Sequence, residues 1–278
     1  MTVASPSFVS VKGLCKTFGS AEVIDNVDLE IKQYEVLAMV GPSGCGKSTF
    51  LRILAGLDID YSGKVLVDGR KPQESVKERQ TGLLSQDSVL LPWRTALDNA
   101  LLPIDLQRDR TPVDISDAKC LLSKLGLSDH LKSRPQQLSG GMRQRVSLAQ
   151  LLVMRQELLL FDEPFSKLDE PLRWQLTGLM HDFLSDRTAV WVTHSVDEAV
   201  AMGDRVGIWY KAPGHRGYRL RIERGLRQSI TFGKTGLPDL AALKDESQRI
   251  LSLQIELNEE AGDVISPSAF EELPEKIG

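Results

Sequence analysis

At 278 residues, 41% of them hydrophobic, the chain is long enough to bury one full core carrying smaller lobes. Lys and Arg number 34 against 38 Asp and Glu, a formal net charge of −4, so no overall basic field argues for a nucleic-acid partner. The three cysteines, Cys15, Cys45 and Cys120, contain no C-x-x-C pair, which argues against structural zinc and points to a reducing compartment.

The N-terminus has no basic head followed by a long apolar run, so no signal peptide is expected. Residues 8–35 alternate apolar and polar positions (Phe8, Val9 and Val11, then Val27, Leu29 and Ile31), which predicts antiparallel strands. Residues 36–40 form an apolar run that reads as a buried strand. Gly41-Pro42-Ser43-Gly44-Cys45-Gly46-Lys47-Ser48-Thr49 follows and leads into an apolar helical pattern. In that context G-x-x-x-x-G-K-[ST] is a phosphate-binding loop. The glycines let backbone N–H groups wrap a phosphate, and the helix N-terminus adds a favourable dipole. Lys47 supplies a positive charge for the β- and γ-phosphates, and Ser48 a hydroxyl for Mg²⁺. Cys45 is expected as a small filler open to alkylation rather than as a catalyst.

Gln86 leaves the apolar run 81–85, at a strand-to-loop exit. From about 88 to 155 the pattern turns mostly helical, which predicts an inserted helical subdomain. Within it, Ser139-Gly140-Gly141-Met142 opens an amphipathic helix. On its own that pattern is either a second phosphate-facing terminus or an ordinary N-cap by Ser139. Residues 158–162 then form a strand ending in Asp162, followed by Glu163. Two adjacent carboxylates suit one that binds a metal and one that orients or activates water; on its own the pattern is equally a buried strand with a solvated end. Residues 189–192 form a further strand; a lone histidine is more often structural than catalytic, but His194 lies just past the C-terminal end of that strand, where α/β sheets bind ligands.

Strand-like runs return between 202 and 229 with Lys211, Arg216, Arg219, Arg221, Arg224 and Arg227, expected as a solvated face, with a binding patch as the alternative. Residues 239–250 look helical, whereas Leu251, Leu253, Ile255 and Leu257 alternate like a strand. Residues 258–278 are acidic, carry Pro267 and Pro274, and are expected to be a partly ordered tail. No apolar stretch approaches the ~20 residues that span a bilayer. The alternation of strands with helices implies an α/β domain built on a mainly parallel sheet.

Over residues 8–255 these motifs together resemble the nucleotide-binding subunit of an ABC transporter. The resemblance implies a P-loop NTPase with a RecA-like parallel-sheet core, an N-terminal antiparallel β subdomain and an inserted helical subdomain. The ABC ATPase domain would be 1–257, with the tail at 258–278. Residues 41–49 correspond to Walker A and 158–162 to Walker B. Gln86 corresponds to the Q-loop glutamine, Glu163 to the catalytic carboxylate and His194 to the switch histidine. Ser48, Gln86 and Asp162 would hold Mg²⁺. Lys47, Gln86, Glu163 and His194 would serve hydrolysis of ATP. Ser139, Gly140 and Gly141 lie in the ABC signature, with Met142 where many members have Gln. Asp169 lies in the D-loop, with Lys167 where Ala is usual. Phe18 sits where the family stacks an aromatic ring on adenine; a core aromatic is the alternative.

Leu90-Leu91-Pro92-Trp93, just after the Q-loop, resembles the nitrate, sulfonate and taurine import group, which also includes importers of thiamine precursors. Trp93 and Leu91 are then expected at the membrane subunit, the alternative for Trp93 being simple packing. A single copy of each motif implies a head-to-tail homodimer in which the signature of one subunit closes the nucleotide site of the other. The expected partners are integral membrane permease subunits and, indirectly, an extracytoplasmic solute-binding protein. The chain would sit peripherally on the cytoplasmic side of the plasma membrane. A soluble ABC-type ATPase of DNA repair or translation is the alternative function, and a non-ABC P-loop kinase a more distant one. The solute is not legible, because it touches other subunits.

Overall fold

Residues 7–78, 80–87, 89–225, 227, 238 and 240–260 are described by the computed structural model of the chain. Strands β1 (Ser7–Phe18) and β2 (Ala21–Lys32) form an antiparallel hairpin. In β2, Val27, Leu29 and Ile31 are buried while Asp28, Glu30 and Lys32 are exposed, the period of a strand covered on one face. The next strand, β3 (Val36–Val40), is buried at every residue, as expected of a parallel strand covered on both faces. It runs through the glycine loop into α1 (Lys47–Leu54). Then come β4 (Ser62–Val67), α2 (Pro72–Lys77) and β5 (Thr81–Leu84).

The helical stretch comprises α3 (Ala96–Ala100), α4 (Leu102–Asp105), α5 (Pro112–Lys124) and α6 (Gly140–Leu152). Thr95 and Thr111 cap α3 and α5 through their hydroxyls, and Pro112 fills the first position of α5, where it costs no hydrogen bond. The chain returns to the sheet with β6 (Leu158–Asp162), α7 (Glu170–Phe183), β7 (Thr188–Val192), α8 (Val196–Met202), β8 (Arg205–Lys211) and β9 (Tyr218–Arg224). It ends its described part in α9 (Leu240–Glu259).

Among the described residues the strands form one nine-stranded sheet, ordered β4-β1-β2-β9-β8-β3-β7-β6-β5. The β8–β9 hairpin joins the antiparallel wing to the parallel part, where β8, β3, β7, β6 and β5 run side by side in one direction. Alternation along the parallel strands feeds two cores. Leu37, Met39, Leu158, Leu160, Val190 and Val192 pack with Phe50 of α1 and Trp209. Val36, Ala38, Leu159, Phe161, Ala189 and Trp191 pack on the other face, under α6, α7, α8 and α9. This is a three-layer α/β architecture, as expected.

Two expectations need correction. Residues 251–257 are not a strand but the continuation of α9, which is helical throughout. The buried positions Leu243, Ser247, Ile250, Gln254, Leu257 and Asn258 follow helical spacing. Half of that stripe is polar, which hid its period from hydrophobicity while half-buried Leu251, Leu253 and Ile255 imitated alternation. The basic face is also only partly solvated. Arg227 is buried, with Nη1 3.2 Å from Asp204 Oδ2, and Arg219 Nε lies 3.2 Å from Asp25 Oδ2. The tail expected from 258 lies, from 261 onward, outside the described residues.

Candidate active site

The C-terminal ends of β3, β7, β6 and β5 converge on one cavity of ≈ 450 Å³. Ser43, Gly44, Gly46, Lys47, Ser48 and Thr49 line one side of it, and Gln86, Glu163 and His194 face them. Phe18 and Val23 border it from the antiparallel wing. The cavity is the crevice in which open α/β sheets hold ligands.

Gly46 is the N-cap of α1 at φ +101°, where a side chain would be strained and its Cβ would come 3.0 Å from Val23 Cγ1. With glycine there, α1 starts without a side-chain cap, and its first turn carries no acidic residue. The first N–H groups therefore suit an anion. Lys47 is buried, and its ammonium donates to the carbonyls of Gly41 at 2.7 Å and Pro42 at 2.9 Å. Its nearest oxygen acceptors are neutral carbonyls, so a phosphate is a natural complement for the charge. Cys45 corrects the expectation of alkylation: it is fully buried, and burial raises its thiol above the usual range despite the nearby Lys47 charge. Phe18 is 53% exposed at the end of β1, which removes the core-packing alternative.

Ser48 Oγ donates to Asp162 Oδ1 at 3.1 Å. Burial raises the Asp162 carboxyl, an effect that the Ser48 hydrogen bond and the Lys47 charge do not cancel. A hydroxyl and a carboxylate side by side, with the Gln86 amide across the cavity, are hard oxygen donors that fit Mg²⁺ held jointly with phosphate oxygens.

Glu163 has φ +50°, uncommon for a residue with a side chain. The strain is held in place from three sides. Its N–H donates to Val192 O at 2.9 Å, and its carbonyl accepts from Gln144 Nε2 and Ser166 Oγ, both at 3.1 Å. The carboxylate accepts from Gln86 Nε2 at 2.8 Å and contacts His194 Nε2. Burial alone would raise this carboxyl, but the His194 hydrogen bond and the charges of His194 and Lys47 bring it below the usual range. Glu163 is thus ionised at neutral pH and oriented by two neighbours.

Other expected residues lie outside this cavity. Ser139 caps α6, its Oγ accepting from Met142 N at 3.2 Å, and Asp169 caps α7 by accepting from Leu172 N at 3.0 Å. A Cβ on Gly141 would come 2.8 Å from Leu168 Cδ2 and 3.1 Å from Lys167 O, so glycine lets the start of α6 approach that loop closely. Ser139, Gly140, Gly141 and Asp169 are not among the described residues that line the cavity. Lys167 Nζ lies 3.2 Å from Asp87 Oδ1 and 3.4 Å from Gln86 O, linking its loop to the Gln86 segment.

The 90–95 loop is held by Asn99, which is fully buried. Its Oδ1 accepts from Leu91 N at 2.7 Å, and its Nδ2 donates to Leu91 O, Arg94 O and Thr95 O. Trp93 is 68% exposed on that loop, so it does not pack into a core of this chain. Leu91 borders a second cavity of ≈ 430 Å³, with Val89, Leu102, Pro103 and Met154, beside edge strand β5.

Sequence reading missed Val23, Gln144, Asn99 and Glu198. Asn99 and Gln144 lie just past the 90–93 and 139–142 motifs, but their roles are set by the carbonyls that the fold brings to them. Glu198 is buried under the site, accepting from Trp191 Nε1 at 2.6 Å, and nothing local marks it as buried.

A family model described as ABC transporter matches residues 24–166. An uncharacterised ABC transporter ATP-binding protein of Methanocaldococcus jannaschii is 38% identical over 250 residues, 86% of this chain and 92% of the relative. An aliphatic sulfonates import ATP-binding protein of Mycobacterium sp. is 37% identical over 260 residues, 93% of this chain and 98% of the relative. Its Burkholderia ambifaria namesake is 43% identical over 201 residues, 71% of this chain and only 60% of that longer protein. Among solved structures, the dimeric post-hydrolysis state of an ATP-binding cassette bound to ADP and Pi matches with a TM-score of 0.68 at 29% identity. That match covers 78% of this chain and 98% of the cassette. The chain belongs to the ABC transporter family, as an ATP-hydrolysing subunit resembling the sulfonate import group.

Proposed function

We propose that the chain is the ATPase subunit of an ABC importer, driving uptake of a small sulfonate-like solute through separate membrane subunits. The observation that carries the hydrolytic part is the arrangement of an ionised Glu163 between Gln86 and His194, facing the phosphate loop. Lys47 and the first N–H groups of α1 would bind the β- and γ-phosphates, and Phe18 would stack on the base. Ser48, Asp162 and Gln86 would hold Mg²⁺, which supplies charge neutralisation on the phosphates when bound. Glu163 and His194 would position water for in-line attack. The work is placement and charge stabilisation, with little covalent chemistry asked of the protein.

The signature residues lie away from their own chain's cavity, which suits a head-to-tail homodimer in which Ser139 and Gly141 serve the partner's nucleotide, with Asp169 also at that interface. The sulfonate reading rests on the relatives described as aliphatic sulfonates import proteins and on the Leu90-Leu91-Pro92-Trp93 loop. None of the described helices is long and apolar enough to cross a membrane. The partners would be permease subunits, docking at Trp93 and the cavity beside β5, and through them an extracytoplasmic solute-binding protein. The subunit would work at the cytoplasmic face of the membrane.

Two measurements test this. Glu163→Gln should bind Mg-ATP about as well as the parent and hydrolyse it at least ~100-fold more slowly. Hydrolysis at the parent rate would remove Glu163 from its role. Pull-down of the tagged chain from detergent-solubilised membranes of its own cells should bring integral membrane proteins, and Trp93→Ala should lose them. Recovery of no membrane protein by the parent would favour a soluble ABC-type ATPase instead.

A further inference from the structure

Lys16 lies on β1 two residues before Phe18, and it is only 3% exposed. A buried ammonium requires partners, and these come from just beyond the far end of α1. Nζ is 2.9 Å from Asp58 Oδ1, donates to Asp60 O at 2.5 Å and lies 3.7 Å from Asp60 Oδ2. That segment is tied back to the helix, since the N–H groups of Leu57 and Asp58 both donate to Arg52 O. The same Nζ stands over the Phe18 ring, 4.6 Å from its centroid. Phe18 borders the nucleotide cavity, whereas Lys16 is not among the described residues that do. One face of the ring is therefore held by the cation, while the ring, half exposed, still borders the cavity.

We propose that Lys16 is a positioning residue for the nucleotide base. Clamped by Asp58 and Asp60, it holds the Phe18 ring at a set distance from the phosphate loop. Helix α1 supplies the ruler, because its first turn carries Lys47 and Ser48 and the chain leaving its last turn carries the clamp. Eight helical residues span about 12 Å, so one rigid element fixes both ends of the nucleotide. Phe18 needs such a hold. It ends its strand beside Gly19, which has φ +59°, and an unrestrained ring there would have to be ordered on each binding event. This inference rests on Phe18 stacking the base.

The test compares the binding of Mg-ATP and of magnesium tripolyphosphate, which has no base, to the full chain by calorimetry. Lys16→Met should weaken Mg-ATP about fivefold or more and leave tripolyphosphate unchanged, while Lys16→Arg should behave like the parent. Phe18→Ala should produce the same selective loss, and adding Lys16→Met to it should cost nothing further. Should Lys16→Met not fold, Asp58→Asn loosens the clamp without removing the cation and should give a smaller loss confined to Mg-ATP. If the Lys16 or Asp58 variant weakens both ligands equally, or neither, Lys16 is at most a tie between β1 and α1 and the proposal is overturned. Phe18→Ala separates the two levels. A selective loss there without one at Lys16 overturns the positioning role alone. No selective loss at Phe18 overturns base stacking, and the positioning role falls with it.

Discussion

Glu163, in the site, and Glu198, buried beneath it, show how neighbouring carboxyls acquire different charge states from their surroundings. His194 and Lys47 outweigh burial at Glu163 and keep it ionised. At Glu198 burial dominates; the Trp191 hydrogen bond and the Arg173 charge offset it only in part, leaving the carboxyl at about 7. The folded protein therefore binds this proton more tightly than the unfolded chain does. The associated stability is fully present below the ordinary glutamate range and is lost as pH rises through about 7. Glu198→Gln keeps an acceptor for Trp191 and cannot ionise. It should be more stable than the parent at pH 8, by on the order of 3 kcal/mol, with the gap closing toward pH 4.5. Thermal unfolding across that range checks this, and identical curves at pH 8 would remove the buried ionisation. Glu163 was legible because it adjoins Asp162 at a strand end. Glu198 was not, because its burial comes from Trp191 and from helices that pack over it.

At the scale of elements, the 90–95 loop is braced by one side chain, which bonds the Leu91 N–H and the carbonyls of Leu91, Arg94 and Thr95. Asn99→Ala would leave the Leu91 N–H and three carbonyls without that partner. Destabilisation by about 2–3 kcal/mol is expected, with nucleotide affinity little changed because the phosphate loop is untouched. Chemical denaturation together with hydrogen exchange at the Leu91 amide would test it, and an unprotected Leu91 amide in the parent would refute the bracing role. Motif resemblance singled out this segment, yet whether Trp93 is packed or exposed is decided by how the folded chain covers the loop. Helix α9 failed in the opposite way. Its buried stripe includes Ser247, Gln254 and Asn258, so hydrophobicity understated its true period.

At the scale of the molecule, a phosphate loop and a signature that do not meet within one chain make a composite site the expected working form. Lys47→Ala damages the loop side and Ser139→Ala the signature side, so each mutant homodimer carries a defect in both sites. A head-to-tail heterodimer collects both defects in one site and leaves the other sound. Equal mixing should then restore roughly a quarter of the parent's sound sites, read as ATP-dependent dimerisation and, if one site can fire alone, as partial hydrolysis. A mixture that dimerises no better than either mutant, with subunit exchange demonstrated, would sink the arrangement.

Contiguous parts of the site and fold could be read directly from the residues. The glycine loop before α1, the paired carboxylates ending β6, the histidine after β7 and the alternation of β2 each depend on local backbone geometry and on a period that neighbouring residues carry. Tertiary structure decided what meets across the sheet. Parallel register places β3, β7, β6 and β5 side by side, which brings Gln86, Glu163 and His194 together from segments far apart in the chain. Lys16 finds Asp58 and Asp60 in the same way, and Glu198 loses its solvent. Pair distances, burial and charge state are properties of such non-local neighbours. A chain read residue by residue can name the candidates, but only packing sets their company.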